Sequence, residues 1–458
     1  MQDLPTHAHW SSRLAFVLAA IGAAVGLGNF WRFPYTAGEN GGGAFVIIYV
    51  LCILCIALPI LIAELLVGRR GGMSAIAGTR AVAIAEGRSG LWSAIGCVGM
   101  IASFLILTFY SVIAGWLVAY LPLAAFGTFS GIDAAASEAE FNGLLSNIGL
   151  SVFCHAIFMG LTIWIVARGV NKGIERAVQI LMPAFFFMLL GVVAFSIIAG
   201  DISKGLSFLF TPDFSKITFS VVLEAIGQAF FSIGVGAAIM ITYGSYLNRD
   251  TNIPRASLYI CFSDTAVAIL AGLAIFPLVF GFGLDPAQGP GLIFVTLPVA
   301  FGEMPFGQVY GTVFFLLAIF AALTSSISLL EIFVSWAEEH RGWKRVTTAI
   351  IGGGAAWIIG IGNVFSTNIW SDVYPLAMFE VFAGKTMFDV LDYLTANIML
   401  PLGGLLVAIF VGWRISRATA RDELGMSDGL AFRLWWVFLR YVSPVALGAV
   451  MYYLTIGF

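Results

Sequence analysis

Apolar residues fill long unbroken runs in this chain instead of recurring at amphipathic spacings. Read between polar clusters, eleven runs stand out, at about 13–37, 42–68, 91–124, 149–168, 175–199, 218–247, 255–282, 307–337, 346–362, 389–413 and 431–456. A hydrocarbon core takes about 20 apolar residues per helix, so each run predicts one membrane crossing. Composition agrees. Of the 458 residues, 60% are hydrophobic and only 10% charged, against roughly 45–50% and 25% in soluble domains. That balance excludes a soluble globule and a disordered chain. A net charge of −3 without any long basic stretch excludes a nucleic-acid partner. The expectation is an all-α integral membrane protein with one transmembrane domain spanning 1–458, whose surroundings are the lipid bilayer.

Lysine and arginine set the orientation, because they concentrate in cytoplasmic segments. With the N-terminus inside, 18 of the 22 lie in inner segments and three, Lys204, Lys216 and Lys385, in outer loops; Arg32 sits within the first run. This predicts a multi-pass protein of the cell (inner) membrane with a cytoplasmic N-terminus. An odd number of crossings then puts the C-terminus outside. The N-terminal stretch has no basic region ahead of its apolar run, so no cleaved signal peptide is expected. The five cysteines all lie in apolar runs, and Cys52 and Cys55, though spaced as C-x-x-C, read as small packing residues.

Two runs carry glycine clusters at mid-span: Gly22, Gly26 and Gly28 in the first, Gly234 and Gly236 in the sixth. Each glycine costs about 1 kcal/mol against alanine in a helix, and unwound backbone survives in a bilayer only where it lines a cavity. The clusters fall in the first helix of each half of a ten-helix core, 13–199 (helices 1–5) and 218–413 (helices 6–10), with 431–456 outside the repeat. Five is odd, so the second half is inverted. Small-residue packing explains one such cluster; two in matching positions point to a transport site. In the eighth run Ala321, Thr324, Ser325 and Ser328 form a small, oxygen-bearing stripe on one helix face.

Gly22 through Tyr35, the Glu39–Phe45 stretch, Arg168-Gly169 with Lys172 to Arg176, Gln228 to Ser232 and Ala322 to Ser326 resemble the neurotransmitter:sodium symporter family, in its bacterial eleven-helix amino-acid form. The resemblance implies a leucine-transporter-like (5+5 inverted repeat) fold, with helices 1 and 6 unwound at mid-membrane, and sodium-coupled symport of an amino acid or amine. It implies two sodium ions. One is held by the carbonyls of Gly22, Val25 and Ala321 with the hydroxyls of Thr324 and Ser325. The other is held by the Ala24 carbonyl, Asn29, Ser232, a residue of the seventh run and the substrate carboxylate. The family usually has asparagine at that last place; this chain has Ser263 and then Asp264, and matching the following Gly272–Phe276 stretch favours Asp264. A buried carboxylate wants a cation partner. Asp264 is therefore expected to supply the charge that animal relatives take from chloride, so chloride is not expected.

By the same resemblance, Leu27 and Gly28 offer N–H groups to the substrate carboxylate and Tyr110 its hydroxyl. Ala23, Ala24, Ile106, Phe231, Ser232, Gly234, Ala237, Ser325 and Leu329 complete the pocket. Amine transporters of the family carry Asp where this chain has Gly26, so a zwitterionic amino acid is favoured. The set contains no charged side chain, and the small Ala237 stands where relatives often have Phe, so the expected substrate is neutral and hydrophobic or aromatic. Arg32 and Asp392 are expected to close the outer side, with Phe231 as a lid. Trp10, Tyr246 and Glu339 are expected at the inner gate, with His7 as the basic partner of Glu339 and Arg13 or His9 as substitutes. Gly173 and Pro183 mark an inner half of helix 5 able to unwind towards the first sodium site. Glu64 is read as a partner for unwound amides of helix 6.

No motif of an intramembrane enzyme is present, and no obligatory protein partner is evident. Within transport, proton coupling is the alternative. From another class, a receptor or transceptor that binds the amino acid without moving it would need an output domain or long tail.

Overall fold

The computed structural model describes residues 8–286 and 291–456, and among them it contains helices and no strands. The rods are α1 (Arg13–Ala24 and Gly28–Glu39), α2 (Gly43–Gly71), α3 (Gly90–Ala125), α4 (Ile148–Ala167), α5 (Val170–Ala199), α6 (Phe219–Ile233 and Ile239–Ser245), α7 (Ile253–Gly281), α8 (Gly307–Arg341), α9 (Arg345–Ser366), α10 (Met387–Arg414) and α11 (Leu430–Tyr453). Nine of the described helices are long and apolar enough to cross a membrane, and the bent pair in α1 adds a tenth. The sixth expected run does not reach that length. Its backbone breaks after Ile233, leaving two pieces that are each too short to cross.

Local sequence sets where the central rods begin. Ser12 accepts the Ala15 N–H at the start of α1, Thr218 caps α6 through Val221 and Asn252 caps α7 through Arg255, each satisfying an amide that the first turn leaves unpaired. α8 is the most deeply buried long rod, packed against α1, α3, α4, α5 and α9. α1 lies between α5, α7 and α8, while the second piece of α6, Ile239–Ser245, packs on α2. Large apolar side chains such as Phe187 and Ile198 on α5 stay exposed on the outside, as a lipid-facing surface requires.

Both breaks are built, not frayed. In α1 the backbone turns extended at Val25, and the two pieces meet at 47°. In α6 Gly234, Gly236 and Ala238 all adopt positive φ, 72°, 85° and 60°. For an alanine that conformation costs about 1–2 kcal/mol, so its neighbours must hold it. Glu64 Oε1 of α2 accepts the Gly236 N–H at 2.7 Å, and Ser103 Oγ of α3 donates to the Ala237 carbonyl at 2.7 Å. Glu64 thus does what its buried position in an apolar run led us to expect. Gly236 is irreplaceable on space as well, since a Cβ there would lie 2.1 Å from the Leu400 carbonyl oxygen.

Candidate functional site

The break in α1 redirects amides and so frees carbonyls. In an unbroken helix the Gly26 N–H would bond to Gly22 and the Leu27 N–H to Ala23. Here the Gly26 N–H donates to Asn29 Oδ1 at 3.0 Å and the Leu27 N–H to the Tyr110 hydroxyl at 3.3 Å. The Asn29 N–H donates to Gly26 instead of Val25. Gly22, Ala23 and Val25 are left with carbonyl oxygens to offer elsewhere.

Two of those oxygens meet α8. Ser325 Oγ lies 3.4 Å from the Gly22 oxygen, 3.3 Å from that of Val25 and 3.4 Å from that of Ala321. Thr324 Oγ1 is 3.0 Å from the Ala321 oxygen. The five groups expected to hold one sodium ion are therefore brought together. The contacts from Ser325 are long for hydrogen bonds, and the cluster is one of hard, neutral oxygens. Met182, next to Pro183 on α5, covers it from the side: a Cβ added to Gly22 would sit 3.1 Å from Met182 Sδ.

A second polar cluster joins α1, α2, α6 and α7. Asn29 Nδ2 donates to Asp264 Oδ1 at 2.8 Å, to the Asp264 carbonyl at 3.1 Å and to Ser232 Oγ at 3.0 Å. Ser232 donates to Asp264 Oδ2 at 2.8 Å, and Tyr49 OH is 3.2 Å from the same oxygen. Asp264 is fully buried, whereas the neighbouring Ser263 is turned aside and half-buried. The carboxylate is surrounded by neutral donors, and no cationic side chain reaches it among the described residues. Tyr49 was not foreseen; its signal was a single hydroxyl-bearing residue in an otherwise apolar run.

Between the breaks lies a cavity of about 50 Å³, room for a few waters at roughly 10–15 Å³ each. Of the residues expected around the substrate, all but Ser232 line it; the Ser232 hydroxyl is committed to Asp264. Gly26, Ile239 and Leu400 line it as well, Leu400 arriving from α10, which nothing in the local sequence signals. Gly26 keeps the cavity open, because a Cβ there would fall 2.5 Å from Ser325 Oγ and 2.8 Å from Tyr110 OH.

Broken rods that cage both a cavity and two oxygen clusters suit ion-coupled transport, and the relatives decide which kind. The profile of the Sodium:neurotransmitter symporter family matches residues 7–130 and 141–458. The chain belongs to the sodium:neurotransmitter symporter family. It is 38% identical over 441 residues to an uncharacterised sodium-dependent transporter, YhdH, of Bacillus subtilis, covering 96% of this chain and 95% of that one. An uncharacterised sodium-dependent transporter of Haemophilus influenzae is 34% identical, with 95% of each chain covered. Among solved structures, MhsT in complex with L-phenylalanine superposes with a TM-score of 0.89 at 41% identity, over 97% of this chain and 98% of that chain. The protein is a sodium-dependent, multi-pass membrane symporter with the leucine-transporter-like fold, and not an enzyme.

In this symporter the two ends of the site differ. At the end where the N-terminal segment lies, Trp10 is buried. Its Nε1 donates to the Tyr243 carbonyl at 3.1 Å, and its ring packs edge-on against Tyr243 at 5.2 Å. Tyr246 OH donates to Glu331 Oε1 at 2.8 Å, and Glu331 is ion-paired with Arg345. That pair, from α8 and the start of α9, is a part of this polar cluster that the sequence did not reveal. Glu339 accepts the Ser74 N–H at 2.7 Å; His7 lies outside the described residues. Arg13 pairs with Asp250 at 2.7 Å, not with Glu339. α5 is wound in this conformation: a π-helical turn over Val170–Glu175 contains Gly173, and the α-helix continues through Pro183.

At the opposite end a vestibule of about 330 Å³ opens, lined in part by Arg32, Glu39, Glu224 and Asn397. Arg32 and Asp392, expected to close this side directly or through water, form no direct ion pair among the described residues. The Arg32 guanidinium lies over the Phe231 ring, 4.6 Å from its centre, a favourable cation–π geometry. Phe231 also lines the inner cavity, so this stack is the partition between vestibule and site.

Proposed function

We propose that this symporter imports a neutral, hydrophobic or aromatic amino acid with two sodium ions by alternating access, from outside to a cytoplasm that holds its N-terminus. The observation that carries this reading is the cavity itself: apolar walls around Ala237, Leu329 and Leu400, with Leu27 N–H and Tyr110 OH at one end. Those two donors suit a carboxylate, and among the described residues no acid or base lines the walls to recognise a charged side chain. MhsT, which binds L-phenylalanine in its complex, supports a bulky apolar substrate. Phe231 and Leu400 are the side chains that must yield to admit one.

The Gly22, Val25, Ala321, Thr324 and Ser325 oxygens take one ion. Asn29, Ser232, Asp264 and the Ala24 carbonyl, completed by the substrate carboxylate, take the other. Sharing a ligand makes the coupling reciprocal: each partner binds poorly without the other. Asp264 supplies the negative charge, so transport needs no chloride. The inverted halves 13–199 and 218–413 rock about the two breaks, with α11 outside them and the C-terminus beyond the membrane. Two ions entering down ~100 mV contribute ~4.6 kcal/mol, roughly a 2,000-fold substrate gradient before the sodium gradient is counted.

The test is uptake by purified protein in liposomes, screened with the twenty amino acids and with sodium, potassium or a proton gradient as the sole driving force. Sodium-driven uptake of apolar and aromatic amino acids, unchanged when gluconate replaces chloride, is expected. Preference for a small or charged amino acid overturns the substrate assignment. A collapse in gluconate overturns the role of Asp264.

A further inference from the structure

Arg168, Lys172 and Arg176 stand together where α4 turns into α5. All three are exposed, and none enters a side-chain ion pair or hydrogen bond among the described residues. The acids nearby are otherwise engaged. Glu175 is buried and accepts from Ser11, Asn171 and Gln179, and Glu338 is paired with Arg345. A charge bias alone would scatter cations over this end of the molecule. Here they rim a recess of about 280 Å³ between α4, α5 and α8.

Below the rim the recess is apolar. Leu323 of α8 forms a buried floor, and Trp164 and Ile180, 54% and 61% exposed, form the walls. From Arg168 to Leu161, the trough runs about 10 Å along α4 at 1.5 Å per residue. The Arg168 guanidinium lies 3.8 Å from the centre of the Trp164 ring, which holds the charge directly above the mouth. A trough on the lipid-facing side of a crossing, cationic at interface level and apolar within, matches one kind of molecule. It must carry a phosphate-like anion at one end and hydrocarbon at the other. A soluble anion has no use for the trough, and a soluble protein cannot enter it.

We propose that this recess binds an anionic glycerophospholipid, with its phosphate on Arg168, Lys172 and Arg176 and one acyl chain against Trp164, Ile180 and Leu323. Gly173 also lines the recess, at the point where α4 and α5 touch so closely that a Cβ would lie 2.1 Å from the Ile165 carbonyl oxygen. The bound chain therefore braces α4 against the inner half of α5.

Trp164 is a built-in reporter. The unmodified protein and Trp164→Phe are reconstituted in phosphatidylcholine bilayers containing increasing fractions of 6,7-dibromo phosphatidylglycerol or 6,7-dibromo phosphatidylcholine. The Trp164 fluorescence, taken as the difference between the two proteins, reports contact with brominated chains. Because brominated lipid occupies both leaflets, the readout is independent of how the protein is oriented. A cation near an anionic surface is worth about fivefold in affinity. Half-quenching is therefore expected at a several-fold lower fraction of the phosphatidylglycerol, with the two curves brought together by R168Q/K172Q/R176Q. Coincident curves for the unmodified protein, or a selectivity that survives in the triple variant, overturn the proposal. Should the triple variant fail to reconstitute, the comparison of lipids on the unmodified protein decides alone, and R168K/R176K must retain the selectivity.

Discussion

Asn29 spans the break in α1 with one amide group: its oxygen takes the Gly26 N–H at 3.0 Å and its nitrogen donates to Asp264 Oδ1 at 2.8 Å. The loop that frees the carbonyls and the acid on α7 are thereby parts of one network. Whatever binds beside Asp264 acts directly on the shape of the break.

A buried carboxylate with only neutral donors is unfavourable by several kcal/mol until a cation arrives. Asp264→Asn is therefore expected to melt at or above the temperature of the unmodified protein when sodium is absent. The rise in melting temperature produced by sodium should fall by more than half, and the KM for sodium should increase at least tenfold. Thermal-shift titrations with sodium against potassium check both.

The hydroxyls of Thr324 and Ser325 face the backbone oxygens of Gly22, Val25, Phe320 and Ala321 but carry no charge of their own. An interaction between a hydroxyl and a charged group is worth about 1.5–3 kcal/mol, so Thr324→Ala or Ser325→Ala should weaken sodium binding roughly tenfold or more. At fixed, subsaturating sodium the apparent affinity for the amino acid should fall as well, and saturating sodium should restore it for Thr324→Ala. Radioligand binding across a sodium series measures this.

Ala237 sets how much room the cavity has. Ala237→Phe inserts a ring into a space of about 50 Å³, and overpacking of that kind costs about 1–3 kcal/mol. Competition by phenylalanine or leucine should drop at least tenfold relative to competition by alanine or glycine, while sodium dependence persists. Equal losses for all four would mean that the ring fills no part of the substrate space.

Trp10 is buried against Tyr243 at the N-terminal end of the site. Truncating a buried aromatic costs about 3–5 kcal/mol, and here the cost falls on the packing between the N-terminal segment and α6. Trp10→Ala should raise amide hydrogen exchange over residues 239–247 at least tenfold and raise the sodium KM, with little change in exchange along α3. Unchanged exchange in 239–247 would show that this packing does not depend on the ring.

The sequence made the parts that depend on local chemistry legible. Glycine clusters in apolar runs marked both breaks, because unwinding is disfavoured so strongly in lipid that only glycine-rich backbone with a polar neighbour sustains it. The hydroxyl stripe of α8 was readable for the same reason. Contacts across long sequence separations were not. Tyr49 reaches Asp264 over 215 positions, and Trp10 reaches Tyr243 over 233, distances at which no periodicity survives. Charge alone pointed from Arg32 to Asp392, and the stacking of the guanidinium on the ring face of Phe231, next to the break in α6, was not legible from it.

Three consecutive attachments at the N-terminal end engage different elements: Trp10 holds the second piece of α6, Ser11 donates to Glu175 on α5, and Arg13 pairs with Asp250 in the turn before α7. The last pair is exposed and contributes little alone. Because a single short strap ties them, a displacement of any one of these elements is passed on to the others, and four residues of chain keep three separate parts of the molecule in register.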